Sequence, residues 1–236
     1  MAEPPSPPPD PGGGHAAKQK LRARIRAARR ARPPQERARA AAGLAAVVLE
    51  LPALRGARCV AAYADQPAEP GTALIRERLA RRGVEVLLPV VEADLHLEWA
   101  LDDRSPAGAG ATQGDGAGHG EGDGDVPDGQ GRLVASRHGG GPEPGGERLG
   151  QGALARADLV LVPALAVDTT GARLGQGGGC YDRALAWARA GAPVLALLHD
   201  DEVLDARSDP VPTEPHDRSV DGILTPTRWI WLRPRN

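Results

Sequence analysis

The sequence predicts an α/β protein, a three-layer α/β/α sandwich around a mainly parallel sheet, folded as a single domain. Three observations lead there. Short apolar runs bounded by turn residues, at 58–63, 84–90, 158–163 and 193–198, alternate with segments of helical pattern, as parallel strands with crossover helices do. Glycine and proline are concentrated in two stretches of the 236 residues, and what remains is enough apolar sequence for one compact core. A strand, a glycine loop and a helix start follow one another between residues 158 and 190, the order in which α/β folds build ligand sites.

The elements follow in order. Residues 1–15 are rich in proline and glycine and offer little to bury, which predicts a disordered tail and a domain spanning 16–236. Residues 16–31 (AAKQKLRARIRAARRA) are good helix formers, with Leu21, Ile25 and Ala28 on one stripe and Lys18, Arg22, Arg26 and Arg29 on another. A second helix follows Pro33 and Pro34 and runs to Leu49, ahead of Pro52. Residues 58–63 read as a buried strand, 72–82 as a helix stopped by Gly83, and 84–90 as a further strand. Residues 96–101 alternate with a period of two, as a half-exposed strand does.

From 104 to 131 the chain is nearly all glycine, alanine and acidic residues, which cannot offset the backbone entropy of ordering, so a flexible insertion is expected. Its Gly-Asp-Gly pattern lacks the regular apolar position of calcium-binding repeats. A short helix at 153–157 leads into a fully apolar central strand at 158–163. After the glycine turn come a helix at 181–190, a strand at 193–198, and closing strands at 223–225 and 229–232.

A formal net charge of −2 gives the whole molecule no electrostatic reason to bind nucleic acid or an anionic membrane. The two cysteines, Cys59 and Cys180, are far apart and outside any Cys-x-x-Cys pair, which argues against a disulfide scaffold or structural zinc. The N-terminal residues lack the apolar core of a signal peptide, and no apolar run approaches membrane-spanning length. A cytoplasmic protein acting on small molecules is expected, as a monomer.

The chemistry is concentrated between Asp168 and Asp182. Glycine at 171, 175, 177, 178 and 179 lies between a strand and a helix start, where exposed backbone N–H groups and the helix end attract anions, and Arg173 adds a full positive charge. A Walker A loop requires lysine after the glycines, and a Rossmann fingerprint requires glycine where Cys180 stands, so neither fits. Lys18 and Arg22, four apart, share one helix face, either solvated or anion-binding. Asp182 reads as an N-cap or as a metal carboxylate beside the loop. Glu69, beyond the carboxyl end of a strand, reads as a solvated loop residue or a ligand contact.

Two linked segments, Val162-Pro-Ala-Leu-Ala-Val-Asp168 and Gly171-x-Arg-Leu-Gly-x-Gly-Gly-Gly-x-Tyr-Asp-Arg183, resemble the signature of the 5-formyltetrahydrofolate cyclo-ligase family. Weaker marks follow in the family's order: Lys18 and Arg22, Tyr63 with Glu69 and Thr72, Pro89, Glu143 and Pro144, His216 and Asp217, then Thr225. The resemblance implies ATP-dependent closure of 5-formyltetrahydrofolate to 5,10-methenyltetrahydrofolate through a phosphorylated formyl group, with Mg²⁺ as cofactor. It implies catalytic roles for Arg173, Lys18 and Arg22. ATP would meet Lys18, Arg22 and the loop Arg173, Leu174, Gly175, Gln176, Gly177, Gly178, Gly179, Cys180 and Tyr181. The folate would meet Arg22, Glu69, Gly177 and Tyr181, and the metal carboxylates would be Asp182 and Asp217. Nothing comparable singles out Arg24, Arg26 or Arg30, which are expected to be plain surface. Cys180 stands where the family usually has an aromatic residue, and Gln176 where it has a basic or aromatic one. These two motivate a second reading, a non-catalytic folate- or nucleotide-binding paralogue.

Overall fold

The computed structural model describes residues 13–105, 133–138 and 141–232. Most of the expected tail and most of the expected insertion lie outside these residues. The described parts move both boundaries. Helix α1 begins at Gly13 and runs to Ala31, taking in residues assigned to the tail. Arg104 and Ser105 belong to the fold: Ser105 is fully buried and its Oγ accepts the Val86 N–H at 2.8 Å.

The remaining helices are α2 (Pro34–Leu49), α3 (Ala73–Arg81) and α4 (Cys180–Ala184). The strands are β1 (Cys59–Ala61), β2 (Glu85–Val91), β3 (Leu97–Leu101), β4 (Leu133–Val134), β5 (Glu143–Pro144) and β6 (Leu159–Pro163), then β7 (Ala166–Asp168), β8 (Arg173–Leu174), β9 (Val194–Leu197), β10 (Val203–Leu204), β11 (Gly222–Leu224) and β12 (Trp229–Trp231). The main sheet has seven strands in the order β12-β11-β9-β6-β1-β2-β3. Its five central strands are parallel, and antiparallel β12 and β3 close the two edges. This is the expected α/β domain around a mainly parallel sheet.

Strand periodicity divides the core. Val60, Ala62, Leu159 and Leu161 face one side, where Leu44, Ala45 and Val48 of α2 and Ile75 and Leu79 of α3 cover them. Cys59, Ala61, Val160 and Val162 face the other, with Trp99, Leu154 and Ala184. Both faces of a central parallel strand are buried, so these strands read as unbroken apolar runs. Each buried valine or leucine contributes roughly 1.5–3 kcal/mol.

The second face departs from expectation. Residues 181–190 do not form a ten-residue helix: α4 has five residues and a 3-10 turn, Leu185–Trp187, follows it. The helical stripe Tyr181, Ala184, Leu185 and Ala188 still packs on the sheet, but the chain must reverse at Gly191 (φ +82°) into β9, and the last turn tightens. The short helix expected at 153–157 is likewise a 3-10 segment, Gln151–Arg156. A small sheet, β10-β7-β8, was not expected, and α1 docks there through Leu21 and Ile25 against Leu165, Ala166, Leu174 and Leu204. Strands of two or three residues are too short to show a period.

Strand order reverses between β1 and β6, the neighbours from which the sheet grows in opposite directions. Crevices form at the carboxyl edge of such a switch point.

Candidate active site

A cavity of about 290 Å³ opens at this edge. Tyr63 and Ala64 after β1, Pro89 and Val91 of β2, and Pro163 of β6 form its floor. All the site residues read from the sequence line it: Lys18, Arg22, Glu69, the run from Arg173 to Asp182, and Asp217. Four segments far apart in the chain therefore meet at one place.

The glycine loop is held from both ends. Before it, Asp168 ties the turn: Oδ1 accepts the Thr170 N–H at 2.9 Å and hydroxyl at 2.5 Å, and Oδ2 accepts the Val211 N–H at 3.0 Å. Gly171 sits at φ +89°, and a Cβ there would lie 2.7 Å from the Val220 carbonyl oxygen, so only glycine fits. Gly177 needs φ +113°, with the Arg22 guanidinium beneath it. Arg22 also donates from Nε to the Gly175 carbonyl at 3.0 Å.

Arg173 is buried and donates to Asp182 Oδ1 at 2.7 Å. That oxygen also accepts the Arg218 N–H at 3.0 Å. The N-cap of α4 is Gly179, so Asp182 is not the cap. Arg173 Nε and the Tyr181 hydroxyl are buried and find no hydrogen-bond partner among the described residues. An unsatisfied buried donor costs about 1–3 kcal/mol, and both residues line the cavity, where a ligand oxygen would relieve that cost.

Lys18 is buried on α1 and reaches Asp217 at 2.6 Å and Glu214 at 3.1 Å. Burial pushes the Asp217 carboxyl up, yet Lys18 and the Glu214 N–H together hold it below its usual value. Ligand atoms of Glu214, His216 and Asp217 lie within 4.8 Å of one another. Asp182 also faces the cavity but lies outside that cluster. Glu214 was missed in the sequence, where the Glu-Pro-His-Asp run at 214–217 was the available signal.

Two further carboxylates and two tyrosines also line the cavity. Burial raises the Glu69 carboxyl above its usual value, partly offset by hydrogen bonds from the Gln66 N–H at 3.0 Å and Gln176 Nε2 at 3.2 Å. Burial likewise keeps Tyr63 and Tyr181 neutral. Glu143, from β5, is buried and accepts the Val91 N–H at 2.9 Å. A Cβ at Gly141 would lie 2.6 Å from the Ala64 carbonyl oxygen, a measure of how closely this segment covers the floor.

One surface expectation fails. Arg26 is half-buried and reaches the glycine loop, donating to Gln176 Oε1 at 2.7 Å and to the Gln176 carbonyl at 2.9 Å. Arg24 pairs with the exposed Asp209 carboxylate.

A glycine loop, buried cations and carboxylates gathered at the switch point of a parallel sheet define the class: an α/β domain with a small-molecule site at the carboxyl edge of its strands. Comparison with known proteins narrows it. The sequence model of the 5-formyltetrahydrofolate cyclo-ligase family matches residues 14–226. A Mycolicibacterium smegmatis protein named 5-formyltetrahydrofolate cyclo-ligase is 38% identical over 178 residues, covering 73% of this chain and 76% of that protein. The Escherichia coli protein of the same name is 34% identical over 80 residues, 33% of this chain and 42% of its own. In fold, the chain resembles the solved Aquifex aeolicus 5,10-methenyltetrahydrofolate synthetase, with a TM-score of 0.69 at 23% identity over 93% of this chain and 94% of that one. The Mycoplasma pneumoniae synthetase gives 0.61 at 16% identity over 89% and 98%. The chain belongs to the 5-formyltetrahydrofolate cyclo-ligase family.

Proposed function

We propose that the protein converts 5-formyltetrahydrofolate to 5,10-methenyltetrahydrofolate while ATP becomes ADP and phosphate. The observation that carries this reading is the single cavity in which Lys18 and Arg22, Glu69, the glycine loop and Asp217 converge. The formyl oxygen is a poor leaving group at neutral pH. Transfer of the γ-phosphoryl group to it makes a good one, N10 closes on the activated carbon and gives up its proton, and phosphate departs. Such a transfer asks for positioning and charge stabilisation and needs no protein nucleophile. Arg173, Lys18 and Arg22 supply positive charge, and the loop supplies backbone N–H groups. Glu69 and Tyr181 hold the folate.

The charge balance supports a metal-bound nucleotide. Lys18, Arg22 and Arg173 are the lysine and arginine side chains lining the cavity, against the carboxylates of Glu69, Glu143, Asp182, Glu214 and Asp217. Three cations facing five carboxylates leave two negative charges in excess, which an anionic nucleotide would increase. Asp182 and Asp217, the latter with Glu214 beside it, offer the hard oxygen ligands that Mg²⁺ takes. When bound there, Mg²⁺ would draw charge from the phosphate oxygens.

The same reading makes the protein a cytoplasmic monomer acting on small molecules. Cys59 and Cys180 are free thiols, which suits a reducing compartment. No helix among the described residues is long and apolar enough to cross a membrane.

The test is direct. Protein, ATP, Mg²⁺ and 5-formyltetrahydrofolate are mixed and the near-ultraviolet absorption of the methenyl product is followed; its growth, dependent on ATP and Mg²⁺, is expected. Folate binding with no product would overturn the enzyme reading in favour of a non-catalytic paralogue.

A further inference from the structure

Gln176 lies between two groups of opposite hydrogen-bonding character. Arg26 donates to its Oε1 from Nε at 3.1 Å and Nη2 at 2.7 Å, and to its backbone carbonyl at 2.9 Å. On the far side Gln176 Nε2 donates to Glu69 Oε1 at 3.2 Å. A guanidinium only donates and a carboxylate only accepts. The amide orientation is therefore dictated from both ends, and glutamine serves both partners without adding charge. The second Glu69 oxygen is also held, by the Gln66 N–H at 3.0 Å. The Glu69 carboxylate is thus fixed by its own loop on one side and on the other by a glycine loop pinned to α1.

We propose that Gln176, clamped by Arg26, is a positioning residue that fixes the Glu69 carboxylate at the folate end of the cavity. This rests on the cyclo-ligase reading for what Glu69 meets. The groups facing Glu69 are Arg29 from α1, Asp65 from its own loop, and the neutral hydroxyls of Tyr63 and Tyr181. Burial favours the protonated Glu69, and the Gln176 hydrogen bond favours the ionised form. Loss of that bond therefore moves the Glu69 titration to higher pH.

Gln176→Glu keeps the side-chain length and the Arg26 contact while replacing the donor that faces Glu69 with a second carboxylate. Gln176 is exposed and the backbone of the glycine loop is unchanged, so the variant folds. Expected are a rise of about five- to tenfold in KM for 5-formyltetrahydrofolate, the size of one lost hydrogen bond, and an acidic limb of kcat/KM shifted upward. Arg26→Ala changes the same quantities in the same direction by less. The proposal is overturned if both variants keep the original folate KM and acidic limb, or if the ATP KM rises while the folate KM does not. Absence of turnover in the unaltered protein counts against the cyclo-ligase reading instead. Calorimetric titration with 5-formyltetrahydrofolate then decides the positioning role alone: weaker binding by Gln176→Glu supports it, and unchanged binding overturns it.

Discussion

Helix α1 carries a buried cation near each end, and the two are satisfied in different ways. Toward the C-terminal end, Arg29 donates to both oxygens of Glu202 at 2.7 Å and to the Ala164 carbonyl at 2.6 Å, with both partners almost fully enclosed. Toward the N-terminal end, Lys18 faces Asp217 and Glu214 on the wall of the cavity. The first pairing is closed, one cation against one carboxylate. The second is open and short of positive charge. Burial alone does not separate a structural ion pair from a functional one; the balance of donors and acceptors around it does.

Glu202→Ala tests the closed end and should have the largest effect. It leaves Arg29 charged and buried without its partner, which costs about 3–5 kcal/mol of stability. Thermal unfolding should show a fall in Tm of roughly 10 °C. Folded Glu202→Ala protein should keep its KM values, and a changed folate KM would erase the distinction. Asp217→Ala is the opposite case. Lys18 keeps Glu214 at 3.1 Å, so stability should fall by less than in Glu202→Ala, while turnover falls at least a hundredfold, as when one charge-stabilising group is removed. Loss of folding without loss of kcat in the folded fraction would make both ends structural.

The closed end should also register in acid. Burial, reinforced by Arg32 and Arg29, lowers the His199 pKa to about 4. The unfolded chain binds a proton on this histidine near pH 6.5 and the folded chain only near 4, so its contribution is full above 6.5 and is lost as pH falls between those values. The span is worth about 3 kcal/mol. Urea unfolding across that window should show the decline, and His199→Asn should flatten it. The smallest effect belongs to Arg24→Ala, which removes an exposed pair with Asp209. Its change in stability should stay within about 0.5 kcal/mol.

What the sequence disclosed follows the range of the forces involved. The central strands were legible because burial on both faces leaves unbroken apolar runs such as Leu159–Pro163. Glycine at 171 and 177 was legible because a backbone requirement fixes the residue type. Arg26 was not, since its role depends on a loop 150 residues away, and arginine on a basic helix has the same local pattern whether it meets solvent or a carbonyl. Glu214 was hidden for the same reason. The length of α4 was overestimated because helix propensity is a weak prior where the chain must reverse to enter a strand.

The partners of α1 have a consequence for how the protein is made. Lys18, Arg22 and Arg29 find theirs 199, 153 and 135 to 173 residues further along. The helix leaves the ribosome before these partners do, with Leu21 and Ile25 unable to dock until the small sheet exists. Contacts so distant in sequence are slow to close. Helix α1 is therefore translated ahead of its partners and seated after them, and the cavity acquires its Lys18 wall only after residues 214–217 have been synthesised.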